Sequence, residues 1–252
     1  MDISAWMIGS LFLVGLVAGF VDAIAGGGGV LTLPALLLSG LPPHLALGTN
    51  KGQGVFGTAM SLHRFAASDL LHRRRAWQSF PPAVLAAMAG ALTVSKLAEK
   101  ILTPVVMVLL VAVAIFMLIR RPRSTDLPPR RRSALLAILV AAILAYYDGF
   151  FGPGTGTFLI IAYAWLWHDP LDAASANAKV VNFGSNLGAM LMFAYRGLIV
   201  WQRAAPMALG QAIGGYLGAH LTIKIGRSLV RCVVILASLA IIGRLAWKII
   251  HG

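Results

Sequence analysis

Apolar residues run along the chain in long stretches, separated by short clusters of polar and basic residues, and ten stretches read as helices. They cover 4–25, 29–39, 44–66, 77–97, 101–119, 134–150, 155–168, 172–195, 201–222 and 229–249. A helix rises 1.5 Å per residue, so about 20 residues cross the roughly 30 Å of bilayer hydrocarbon. Most of the stretches meet that length. The pattern predicts an all-α polytopic membrane protein.

One interval stands apart. Arg120 to Arg132, RRPRSTDLPPRRR, is polar, contains proline, and lies near the middle of the chain. It divides the sequence into a first transmembrane unit (1–119), a basic linker (120–133) and a second transmembrane unit (134–252). The two units resemble each other. VDAIAGGGG (21–29) matches YDGFFGPGT (147–155), which sets Asp22 against Asp148, Gly26 against Gly152 and Gly28 against Gly154. LGTNKGQG (47–54) matches SANAKVVN (175–182), which sets Lys51 against Lys179. A WQ pair with a following proline recurs at 77–81 and 201–206, and AGAL (89–92) returns as GGYL (214–217). Five segments precede the linker and five follow it, and an odd number per repeat turns the second copy upside down in the bilayer.

Charge fixes the orientation. With the linker in the cytoplasm, Arg64, Arg73, Arg74, Arg75, Lys224, Arg227 and Arg231 fall on the same side, so thirteen of the 21 Lys and Arg face inward. Both termini are then expected outside. Composition agrees with this reading: 59% of residues are hydrophobic, only 12% are charged, and the mean hydropathy is +0.83. A soluble domain needs a more charged surface than that. The net charge of +13 sits in blocks between apolar segments, without a reading motif or interleaved aromatics, so nucleic acid is excluded as a partner. No Lys or Arg precedes Lys51, so the first helix lacks the basic flank of a signal peptide and is expected to belong to the mature protein. Cys232 is alone in an apolar run, and neither disulfide, metal nor cofactor is expected.

The chemistry concentrates where the apolar pattern fails. DAIAGGGGVLTLP (22–34) places an acid and four glycines inside the membrane. Each glycine costs a helix about 1 kcal/mol relative to Ala, and freed backbone groups are tolerated in lipid only beside a cavity or packed protein. Val30 to Leu38 is too short to span and fits a half-helix starting near mid-membrane. Gly152-Pro153-Gly154-Thr155-Gly156 repeats the break. Two half-helix N-termini, at Gly27, Gly28 and Gly29 and at Gly154, Thr155 and Gly156, would present N–H groups and positive dipole ends to one anion. The competing reading is close helix packing.

Lys51 and Lys179 sit inside apolar segments with no acid within four residues on their own helices. Such a charge needs a cavity or a partner. Either the amines neutralise an anionic substrate or they pair with Asp22 and Asp148, which also have readings as helix caps and proton carriers. Thr49, Asn50, Gln53, Asn177, Asn182, Ser185 and Asn186 supply a hydrogen-bonding lining or, alternatively, glue between helices. His63, His72, His168 and His220 are assigned no role.

These motifs resemble the TauE/SafE family of sulfite exporters and membrane transporters. DAIAGGGGVLTLPAL with LGTNK carries the resemblance in the first unit, and DGFFGPGTGTF with ANAKVVNF in the second. The resemblance covers nearly the whole chain and implies secondary transport of a small anion, often a sulfur oxyanion or organosulfonate, in the bacterial inner membrane. The expected function is alternating-access transport of sulfite, thiosulfate or a sulfonate, with Gly27–Gly29, Thr49, Asn50, Lys51, Gly154–Gly156, Asn177, Lys179 and Asn182 contacting the substrate. Two alternatives stand beside it: an anion channel on the same scaffold, and an intramembrane enzyme built on Ser185. A proton as coupling ion and assembly into a homo-oligomer are left open.

Overall fold

The computed structural model describes residues 4–119, 128, 130 and 132–225. The expected tenth helix (229–249) and most of the linker lie outside the described residues. Within them the chain forms nine helices and no strand: α1 (Ala5–Ala25), α2 (Gly28–Leu38), α3 (Pro43–Ala66), α4 (Arg73–Val94), α5 (Glu99–Ile119), α6 (Ala134–Phe150), α7 (Thr155–Leu166), α8 (Leu171–Tyr195) and α9 (Trp201–Ile225).

Local signals set the boundaries. Ser4 and Ser133 cap α1 and α6, accepting from Met7 N at 3.3 Å and Leu136 N at 3.2 Å. Pro43 opens α3, where the missing N–H costs nothing. α1 ends at Gly26, whose φ of 76° is left-handed and suits glycine. The largest departure from expectation is α4, which starts at Arg73 instead of 77 and stops at Val94 instead of 97. Its first turn is basic because it lies at the polar end of the bundle, so the apolar pattern begins a turn late.

Glycine lets these helices approach closely. Gly15 and Gly19 of α1 lie on the backbone of Met207 and Gln211 in α9, and a Cβ at Gly19 would stand 2.5 Å from Gln211 O. Gly90 of α4 and Gly149 of α6 make the corresponding contact on each other's helix. Backbone-to-backbone packing of this kind is how helices associate when lipid is as apolar as their side chains. α4 and α9 also pack on α8 and α3 respectively.

Each short helix turns back along its predecessor. The end of α2 meets the start of α9, where the buried Arg203 donates from Nη1 to Ser39 O at 2.7 Å and to Ser39 Oγ at 2.9 Å. The end of α7 meets the start of α4, where the Arg75 guanidinium pairs with Asp169 just beyond α7. The two hairpins, α1–α2 and α6–α7, touch at their breaks: Thr157 N donates to Gly26 O at 3.2 Å, and Thr157 Oγ1 to Ala25 O at 2.8 Å.

The polarity of the bundle is reversed from that of a soluble protein. Trp77 (78% exposed), Trp165 (74%), Leu13, Val108, Ile143 and Leu209 face outward, while Lys51, Lys179, Asp22, Asp148 and Asn182 are buried. Water would not tolerate that apolar exterior, and lipid would. α1 and Glu99–Met117 of α5 are long and apolar enough to cross a membrane. α3 and α8 are as long but less apolar, because their middles carry the buried polar residues.

Candidate functional site

The site is built where both glycine breaks meet the middles of α3 and α8. The sequence raised two possibilities for the lysines, and the structure pairs each with an acid of the other unit. Lys51 Nζ on α3 lies 2.7 Å from Asp148 Oδ1 on α6. Lys179 Nζ on α8 lies 2.6 Å from Asp22 Oδ2 on α1. The pairs are crossed, and all four groups are buried. Opposite charges held this close in a low dielectric offset the large cost of desolvating them, so removal of either partner alone is expensive.

The two pairs are not equivalent. Asp22 uses its second oxygen to accept from Gly28 N at 3.2 Å, so it also caps α2. The α2 N-terminus, expected to hold a substrate anion, holds this carboxylate. Asp148 instead accepts from Ser185 Oγ, the serine weighed as a nucleophile. Lys51 makes a second bond, to Asn186 Oδ1 at 3.3 Å. Lys179 is fully buried.

Beside the Lys51–Asp148 pair lies a cavity of about 30 Å³. A water needs roughly 10–15 Å³ measured this way, so one or two waters fit and a four-heavy-atom oxyanion does not. Of the residues expected at the site, Gly29, Asn50, Lys51, Gly156, Asn182, Asp22 and Asp148 line this cavity. Gly27, Gly28, Gly154, Thr155 and Lys179 do not line it. Two lie elsewhere in function as well as place. Thr49 Oγ1 accepts from Val200 N at 3.0 Å, holding the entry to α9. Asn177 accepts from His72 N at 2.9 Å and donates to Leu70 O, fastening the loop between α3 and α4.

Sequence reasoning missed Thr32, Thr58 and Gln211 on the cavity wall. Thr32 Oγ1 donates to Asn50 Oδ1 at 2.6 Å, and Gln53 Nε2 donates to the same oxygen at 3.0 Å. Thr32 was legible as the one polar side chain in VLTLPALLL (30–38). Gln211 stands in α9 between Gly210 and Ala212, with no motif around it to mark it. Gln53, which lines the cavity, keeps a buried Oε1 with no donor among the described residues.

An apolar-surfaced helical bundle with broken helices, buried crossed ion pairs and a polar centre defines a helical membrane protein. The chain belongs to the TauE/SafE family: the family model described as sulfite exporter TauE/SafE matches residues 11–245. Its sequence is 36% identical to a probable membrane transporter protein of Haemophilus influenzae, over 98% of this chain and 97% of that one. It is 32% identical to the probable membrane transporter protein YfcA of Escherichia coli K12, over 99% of this chain and 93% of the relative. A probable membrane transporter protein of Sinorhizobium, ORF9, is also 32% identical, over 97% and 94%. No solved structure matches the chain. The family and the relatives' names are those of membrane transporters.

Proposed function

We propose that this protein is a secondary transporter that moves a small anion across the bacterial inner membrane by alternating access, with a sulfur oxyanion or organosulfonate as substrate. The reading is carried by one observation: a buried amine, Lys51, lines a polar cavity at the junction of two broken-helix hairpins. The family's description as a sulfite exporter supports the substrate class, and the relatives' names support transport as the activity.

In this reading the resting centre is electrically balanced by its own carboxylates. An incoming anion competes with Asp148 for Lys51, and the side-chain donors of Asn186, Asn182 and Thr32 turn to complete its shell. Lys179 stays with Asp22 and holds the α1–α2 break in shape. This narrows the expectation that both lysines touch substrate. The cavity must widen to admit an oxyanion, which supports opening by relative movement of the hairpins against α3 and α8. The exchange of packing partners, α1 with α9 and α6 with α4, supports two inverted repeats about a common centre. Arg64, Arg73–Arg75, Arg130 and Arg132 cluster toward one end of the bundle, which supports a cytoplasmic assignment for that end.

The test is uptake into proteoliposomes of radiolabelled sulfite, thiosulfate and sulfoacetate, with chloride as control. Saturable uptake of one sulfur anion, lost in Lys51→Gln with the protein still monodisperse, is expected. Unchanged transport in Lys51→Ala and Lys179→Ala alike sinks the anion site. Flux that never saturates assigns the scaffold to a channel instead.

A further inference from the structure

A second, larger cavity opens at the basic end of the bundle, away from the central site. It measures about 640 Å³ and is lined by Arg73, Arg74, Arg75, Arg130 and Arg132 with His72, against one acid among the described residues, Asp169. That acid is already neutralised by Arg75, whose guanidinium carbon also stands 4.5 Å from the Tyr163 ring centre and 5.2 Å from that of Trp167. The remaining arginines have no carboxylate in the lining among the described residues. Arg75 is only 9% exposed, yet its Nε has no acceptor among the described residues. A buried guanidinium with an unused N–H is a site missing an acceptor.

A second hollow of about 360 Å³ adjoins it across the start of α4 and is almost wholly apolar, with Leu62, Ala66, Leu71, Trp77, Phe80 and Phe183 on its walls. Arg73 lines both. Ala76, Trp77 and Phe80 follow Arg73 at spacings of three, four and seven, so one face of α4 runs from cation to apolar groove. Trp77 is highly exposed, as side chains are at the membrane–water boundary. A small free anion has no use for the groove, and an acyl chain alone has none for the arginines.

We propose that this paired hollow binds one anionic phospholipid, its phosphate among Arg73, Arg74, Arg75 and Arg132 and one acyl chain along the groove beside Trp77 and Phe80. The inference needs only a bilayer and is independent of what the central site carries. Juxtamembrane arginines each contribute about 1 kcal/mol to anionic lipid binding, close to fivefold in affinity.

Native mass spectrometry on purified protein, offered equal phosphatidylglycerol and phosphatidylcholine, reads the site directly. Phosphatidylglycerol is expected to remain bound in preference. Arg73→Gln/Arg74→Gln/Arg132→Gln weakens it about a hundredfold at three cations, and Lys96→Gln/Lys100→Gln leaves it unchanged. Ala76→Trp, which fills the groove without altering charge, is expected to weaken it at least tenfold and keeps the test decisive where the triple variant does not fold. Equal retention of the two lipids, or full phosphatidylglycerol binding in the triple or the groove variant, overturns the proposal. Displacement of phosphatidylglycerol by millimolar inorganic phosphate also overturns it, and assigns the arginines to a soluble anion.

Discussion

Lys179 offers the sharpest perturbation. Its amine is fully buried, and its one side-chain partner among the described residues is Asp22, 2.6 Å away. Lys179→Met keeps the volume and removes the charge, leaving the Asp22 carboxylate with the Gly28 N–H alone. Breaking a buried pair in this way costs about 3–5 kcal/mol. For a chain of this size each kcal/mol moves the unfolding midpoint by roughly 2–4 °C, so a fall of about 10 °C is expected. Intrinsic tryptophan fluorescence during heating in detergent gives that midpoint. Asp22→Asn added to Lys179→Met removes the orphan charge while an amide oxygen still accepts from Gly28 N. It is expected to recover more than half of the loss. Lys51→Met is expected to cost about half as much, because Asp148 keeps Ser185 and the adjoining cavity admits water. If the Asp22 and Lys179 substitutions add their costs instead of cancelling them, the pair does not hold the break, and the asymmetry argued for the two lysines fails with it.

Two further outcomes follow from the packing. Gly156→Ala places a Cβ 2.5 Å from Gly26 Cα and 2.7 Å from Gly26 O, both backbone, so little folded protein should be recovered on gel filtration; Gly9→Ala meets no atom within 4 Å and should be neutral or slightly stabilising. Arg203→Met deletes two charged hydrogen bonds to Ser39 and should cost about 2 kcal/mol, with faster amide exchange at 36–41 while the α7 end, held by Arg75, stays protected.

Much of the architecture was legible because lipid makes sequence speak plainly. Glycine runs inside an apolar field had to be breaks, and α1, α2, α6 and α7 begin or end within a residue or two of the positions they predicted. Helix starts among arginines were harder, as at α4, since charge hides the turn that precedes the apolar face. Spacing identified Lys51, Lys179, Asp22 and Asp148 but gave no means of deciding which acid meets which lysine. That depends on how α3 and α8 cross the two hairpins, a property of the assembled bundle. Thr49 and Asn177 look like their neighbours in composition, yet the first holds the α9 entry and the second a loop. Hydrogen-bonding capacity is read from sequence; its direction around a helix near a break is not.

The crossed pairs also bear on the order in which the molecule can be made. Asp22 and its partner are separated by 157 residues of chain. Synthesis proceeds at about 5–20 residues per second, so roughly ten to thirty seconds pass between the two reaching the membrane. During that interval the first hairpin holds a carboxylate without its own lysine, and Lys51 waits for Asp148 in the same way. The early helices therefore cannot settle on their own. Locking of the first break waits for α8, whose arrival supplies the amine, and the close packing of α1 waits longer still, for α9.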